Sequence, residues 1–156
     1  MTDHPLAQLI GRPMPGQYRY AFVEALVQDS ARVEPSDASL DEAVVRARAA
    51  GGVDGVVAVG GGSSIDTAKA INLLTSNEGE LMDYINAPVG GGRAPQKPLK
   101  PLVAVPTTTG TGSESTTICV LDVLSLKVKT GISHERLRPV LAVVDPAGPA
   151  HVRELP

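Results

Sequence analysis

Hydrophobic positions along this chain follow two different rhythms. Tyr18, Phe22, Val23 and Leu26 share one helical face, which predicts an amphipathic helix over Tyr18–Val27. Val33-Glu34-Pro35 reads as extended, because a residue before proline avoids the helical region. Leu40, Val44 and Ala47 then fall on one face of a second helix, which Gly51-Gly52 stops. Ser39 with Glu42 fits a capping box for that helix, and Ser36 is the alternative cap. Val56–Val59 and Leu102–Val105 are short unbroken apolar runs, the pattern of strands buried on both faces. Asp54, just ahead of the first run, reads as a turn residue.

Between those strands, Ser64–Leu74 has the composition of a helix. The polar, Pro/Gly-rich connection from Ser76 to Pro101 carries one helical turn at Glu80–Ile85. A loop of that length within a compact domain is commonly functional or mobile. Thr117–Asp122 and Leu126–Ile132, joined by Val123-Leu124-Ser125, predict a hairpin, and Val140–Val144 a last strand ended by Asp145-Pro146. Arg12-Pro13-Met14-Pro15-Gly16 reads as loop. Strands alternating with helices predict an α/β domain, with a mainly parallel sheet and one hairpin excursion.

Composition narrows the class. A length of 156 residues suits one domain. With aromatic residues at 3% and no Trp, the core is left to Val, Ala, Ile and Leu. A net charge of -3 offers no basic footprint for nucleic acid. No apolar run approaches the roughly 20 residues that span a bilayer. The start of the chain has an acid at Asp3 and no leader pattern, and the single Cys119 suits a reducing compartment. These features predict a cytoplasmic protein. Cys119 lies in the apolar run Ile118–Leu121, where a buried, inert thiol is expected.

The candidate chemistry lies at the ends of two strands. Gly60-Gly61-Gly62-Ser63 follows the Val56–Val59 run and opens the next helix. Glycines let a ligand approach the backbone, while the first helical turn offers unpaired N–H groups and a favourable dipole, so a phosphate fits there. The spacing is neither that of a P-loop nor that of the usual first Rossmann turn. Asp66 reads either as a helix cap or as a ligand, and Lys69 either as a solvated cation or as a functional group. The second site, Thr107-Thr108-Thr109-Gly110-Thr111-Gly112-Ser113-Glu114, follows the Leu102–Val105 run and Pro106. In open α/β sheets ligands bind at the carboxyl ends of strands, so both loops can face one crevice.

G-G-G-S-x-x-D-x-A-K at Gly60–Lys69, with P-T-T-x-G-T-G-S-E at Pro106–Glu114, resembles the iron-containing (group III) alcohol dehydrogenase family. The resemblance runs from about Val33 to Pro146. Within it, Asp83-Tyr84-Ile85 to Pro88, Lys100-Pro101-Leu102, Leu126–Ile132 and Leu137-Arg138-Pro139 are similar to the hydroxyacid–oxoacid transhydrogenase branch. It implies an oxidoreductase with a Rossmann-like dinucleotide-binding domain, followed in the family by a helical domain holding a divalent metal, iron in the family's name.

By that resemblance, Gly61, Gly62, Ser63 and Asp66 contact the pyrophosphate side of NAD(P), and Thr107, Thr108 and Thr111 line the phosphate and nicotinamide end. Lys129 reaches a phosphate or ribose oxygen, and Asp3 accepts from the adenine-side ribose hydroxyls, favouring NAD over NADP. The expected organisation is a dinucleotide-binding domain over residues 1–146 and a tail over 147–156. The strand before Asp3, the second strand of the domain and the family's metal-binding half are not matched; His4, His134 and His151 match no metal ligand and read as surface residues. The expectation is an NAD-binding part of a metal-dependent alcohol or hydroxyacid dehydrogenase, inactive on its own, with a non-catalytic nucleotide-binding or interaction module as the alternative. Its partner is a small alcohol or hydroxyacid, with no nucleic acid or membrane partner; homo-oligomerisation is compatible with this reading.

Overall fold

The computed structural model describes residues 35–49, 51 and 53–145. The expected helix over Tyr18–Val27, together with Asp3, His4, His151 and the tail, lies outside them. The first described helix, α1 (Asp37–Ala49), is capped by Ser36. Ser36 Oγ accepts the Ser39 N–H at 3.2 Å, and Ser39 Oγ accepts the Ser36 N–H at 2.9 Å. The reciprocal box therefore joins two serines, and Glu42 takes no part in it. The helix starts two residues before Ser39 and buries Leu40, Ala43, Val44 and Ala47, the face predicted by the spacing.

Strand β1 (Val56–Gly60), helix α2 (Gly62–Ser76) and strand β2 (Leu102–Pro106) form a β-α-β unit. β1 pairs in parallel with β2, with Val56 opposite Leu102 and Gly60 opposite Pro106. β5 (Leu141–Ala142) joins the other side of β2, also in parallel, giving the order β1-β2-β5. Only two residues of the predicted Val140–Val144 strand are regular. The N–H groups of Val140 and Val143 still donate to Leu102 O and Ala104 O. The hairpin is β3 (Ile118–Val123) and β4 (Val128–Ser133), an antiparallel pair turning at residues 124–127.

Helix α2 holds these parts together because it is buried on two sides. Ile65 and Ala68 pack on Ala58, Leu102 and Ala104, where small residues bring helix and sheet close. Ala70, Leu73 and Leu74 pack with Leu40 and Val44 of α1 and with Cys119, Leu121, Val123 and Ile132 of the hairpin. The strands are not buried on both faces among the described residues: Val57 is 68% exposed and Val59 45%. α2 covers one face of the sheet, and no described helix covers the other.

The long connection between α2 and β2 is ordered by side chains from α2 and its end. Asn72 donates to Lys100 O at 2.8 Å and accepts the Lys100 N–H at 3.0 Å. Asn77 Oδ1 accepts the Lys97 N–H at 2.7 Å. The expected helical turn is α3 (Leu81–Tyr84), capped reciprocally by Glu80 and Asp83.

Candidate functional site

β1 and β2 run in parallel and end level, so the loops leaving them start side by side. Thr107 N–H donates to Gly60 O at 2.9 Å, tying the start of the second loop to the glycine turn. Gly60 has φ 153, and a Cβ there would lie 2.5 Å from Ser64 Oγ. Only glycine takes this turn without strain. Gly61 would place a Cβ 3.1 Å from Thr108 Oγ1, and Gly62 one 2.7 Å from Thr111 Oγ1. The glycine turn and the Thr-Gly loop thus meet, Gly61 at Thr108, Gly62 at Thr111 and Gly60 at Thr107, and with Ser63 they border one candidate crevice.

The floor of the crevice is the start of α2. Its first intrahelical bond at this end runs from the Ile65 N–H to Gly61 O, and no side chain caps the turn. The N–H groups before Ile65 have no carbonyl one turn back to accept them. Such a floor fits an anionic pyrophosphate, and three glycines leave the backbone bare where it must approach.

Asp66 and Lys69 are placed differently from their expected roles. Asp66 is 5% exposed; its Oδ2 accepts the Val120 N–H at 3.0 Å, so the carboxylate engages the hairpin, and the Ser113 side chain of the second loop also bonds it. Burial raises its pKa, against the Val120 N–H and the charge of Lys69. Lys69 is 0% exposed, which corrects its reading as a solvated cation. Its Nζ donates to Thr116 O, Thr116 Oγ1 and Ile118 O at 3.0, 3.1 and 2.7 Å, and lies 3.7 Å from Asp66 Oδ1. Burial lowers the Lys69 pKa, opposed by the charge of Asp66. The sequence does show Asp66, Lys69 and Asn72 as a polar stripe with a three-residue period; what it does not show is that hairpin and connection close over it.

Lys129 sits on β4, 3.5 Å from Asp122 Oδ1. β3 crosses α2 in the opposite sense, with Ile118 at Lys69 and Val120 at Asp66. The Asp122–Lys129 rung therefore lies further toward the N-terminal end of α2, the end that carries the glycine turn. His134 caps the short 3-10 turn Glu135–Leu137 by accepting the Arg136 N–H. Cys119 is fully buried as expected, and burial pushes its thiol up. Among the described residues no three His, Cys, Asp or Glu side chains gather as a metal site. The metal implied by the family has no donor set among these residues.

A parallel β-α-β unit with glycine-bearing loops at its strand ends defines the class as Rossmann-like. The family model described as iron-containing alcohol dehydrogenase matches residues 13–146. The chain belongs to the iron-containing alcohol dehydrogenase family. It is 50% identical to the mitochondrial hydroxyacid-oxoacid transhydrogenase of Bos taurus over 99% of this chain and 33% of that protein. Against the Homo sapiens protein of the same name, identity is 48% over 81% of this chain and 27% of the relative. Sulfoacetaldehyde reductase from Bifidobacterium kashiwanohense, solved in complex with NAD+, superposes with a TM-score of 0.69 at 34% identity. That match covers 79% of this chain and 31% of the other. The chain spans about a third of the length of these relatives.

One expectation is overturned. These curated relatives are named as mitochondrial proteins, which contradicts the cytoplasmic assignment. A lone cysteine and an unremarkable start do not distinguish one reducing compartment from another.

Proposed function

We propose that residues 1–146 are the NAD-binding unit of an iron-containing alcohol dehydrogenase-type oxidoreductase, with 147–156 as a tail beyond it. The observation that carries this reading is the meeting of the two loops, with Gly62 too close to Thr111 to admit a Cβ. The N–H groups of Gly62, Ser63 and Ser64 hold the pyrophosphate, and Thr107, Thr108 and Thr111 form the opposing wall toward the nicotinamide. Lys129, at the same end of α2, supplies a cation to a phosphate or ribose oxygen. Asp3 selects NAD over NADP by accepting from the ribose hydroxyls.

Similarity to the transhydrogenases supports hydroxyacids and oxoacids as the substrate class of the whole protein, with 4-hydroxybutyrate and 2-oxoglutarate as the pair. When bound, a nicotinamide would supply the hydride chemistry. The residues of this chain bind and orient the cofactor.

Equilibrium titration with NAD and NADP tests the reading. NAD is expected to bind more tightly than NADP; absence of NAD binding contradicts the assignment.

A further inference from the structure

The strand β3 has an outer edge that no described strand covers. Its inward groups bond to β4, while Ile118 O, Val120 N–H and Asp122 N–H face away. Each of these three groups has a partner. Lys69 Nζ donates to Ile118 O, Asp66 Oδ2 accepts from Val120, and Pro35 O accepts from Asp122. Two side chains one turn apart on α2 thus stand where the backbone of a neighbouring strand would be.

Lys69 has a second set of partners, Thr116 O and Thr116 Oγ1. Thr116 is the end of the loop that forms the outer wall of the crevice. The start of that loop is held by the Thr107 N–H on Gly60 O. Between these two anchors lie Thr108 and Thr111, which face Gly61 and Gly62. The same helix therefore carries the glycine turn at its first residue and holds the far end of the opposing loop seven residues later.

We propose that Lys69, with Asp66 as its charge partner, is a positioning residue that sets the Thr107–Thr116 loop over the glycine turn. It rests on the dinucleotide reading for its purpose but not for its geometry. Burying an ammonium is costly unless every N–H is used. Here two acceptors belong to Thr116 at the end of the loop and the third to Ile118, the first residue of β3, so the ammonium is satisfied only while that junction is in place. An apolar side chain at position 69 could fill the space without holding Thr116. Asp66 keeps Lys69 charged in the interior while bonding the next outward amide of the same strand.

The test uses Lys69→Met, which keeps the stem and removes the donors, and Thr116→Val, which removes one acceptor and leaves Lys69 in place. Amide hydrogen exchange is followed in the free chain. In Lys69→Met, the amides of Ser113, Ser115 and Val120 should exchange at least about tenfold faster, while those of α1 and β2 keep their wild-type rates. Thr116→Val should show the same local pattern with a smaller change, and it carries the test if Lys69→Met does not fold. Unchanged exchange at Ser113 and Ser115, or acceleration spread evenly through α1 and β2, overturns the proposal. NAD titration of the same proteins separates the two readings. If the wild type binds and Lys69→Met binds about tenfold more weakly, positioning and cofactor site are both supported. If the wild type does not bind but the local exchange pattern is seen, the clamp stands and the cofactor reading falls.

Discussion

Asp66 accepts the Val120 N–H at 3.0 Å across 54 residues of sequence, and its other oxygen, Oδ1, has no hydrogen-bond partner. Burial holds this carboxyl above its ordinary value of 3.8. Between 3.8 and the raised value, the native state keeps a proton that the unfolded chain has released. Unfolding free energy from this group therefore falls as pH rises through that window. Asp66→Asn removes the titration. The stability of Asp66→Asn relative to wild type should rise with pH from about pH 4, then level off once Asp66 is ionised. Denaturant unfolding at several pH values measures it, and a flat difference contradicts the assignment.

Cys119 is fully buried, donates to Asp66 O at 3.2 Å and is held neutral by burial. A thiol reagent needs the thiolate and access to it. Labelling should therefore follow the opening of the hairpin from α2 and slow in step with any stabilising condition. Labelling as fast as that of a free thiol would place Cys119 at the surface.

Ser36→Ala removes the acceptor for the Ser39 N–H at the start of α1. Loss of such a cap costs about 1 kcal/mol. The melting temperature should drop by a few degrees, on the order of 4 °C, while any NAD affinity is unchanged because α1 does not line the crevice. A large loss of affinity at unchanged melting temperature would contradict this separation.

Much of this arrangement was legible in the residues. The Leu40, Val44 and Ala47 face, the Val56–Val59 run ending at glycines and the Thr-Gly loop after Pro106 each state a local preference that the fold satisfies. The misses share a physical cause. Ser36 and Ser39 are both good caps, and the choice between them depends on where Pro35 is held beside β3, since Asp122 N–H bonds Pro35 O. Lys69 carries no sign of burial in its own neighbourhood, because its three acceptors lie 47 to 49 residues away. The connection after α2 reads as functional or mobile from its length and its prolines and glycines; Asn72 and Asn77 pin its far end. Long-range hydrogen-bond partners decided every one of these cases.

At Gly60, a Cβ would stand 2.5 Å from Ser64 Oγ on a backbone with φ 153. Gly60→Ala is expected to destabilise the chain by about 2 kcal/mol through backbone strain. Thermal or denaturant unfolding checks it; a neutral substitution would mean the turn relaxes freely.

The central claim is that the glycine turn and the Thr-Gly loop form one cofactor crevice. A Cβ on Gly62 meets Thr111 Oγ1, Cγ2 and Cβ at 2.7, 2.8 and 2.9 Å, so a larger residue must drive the two walls apart. The direct measurement is isothermal titration of NAD into the wild type and into Gly62→Val. NAD should bind the wild type and bind Gly62→Val at least about a hundredfold more weakly, a loss of about 2.7 kcal/mol. Equal binding by the two proteins would contradict the account.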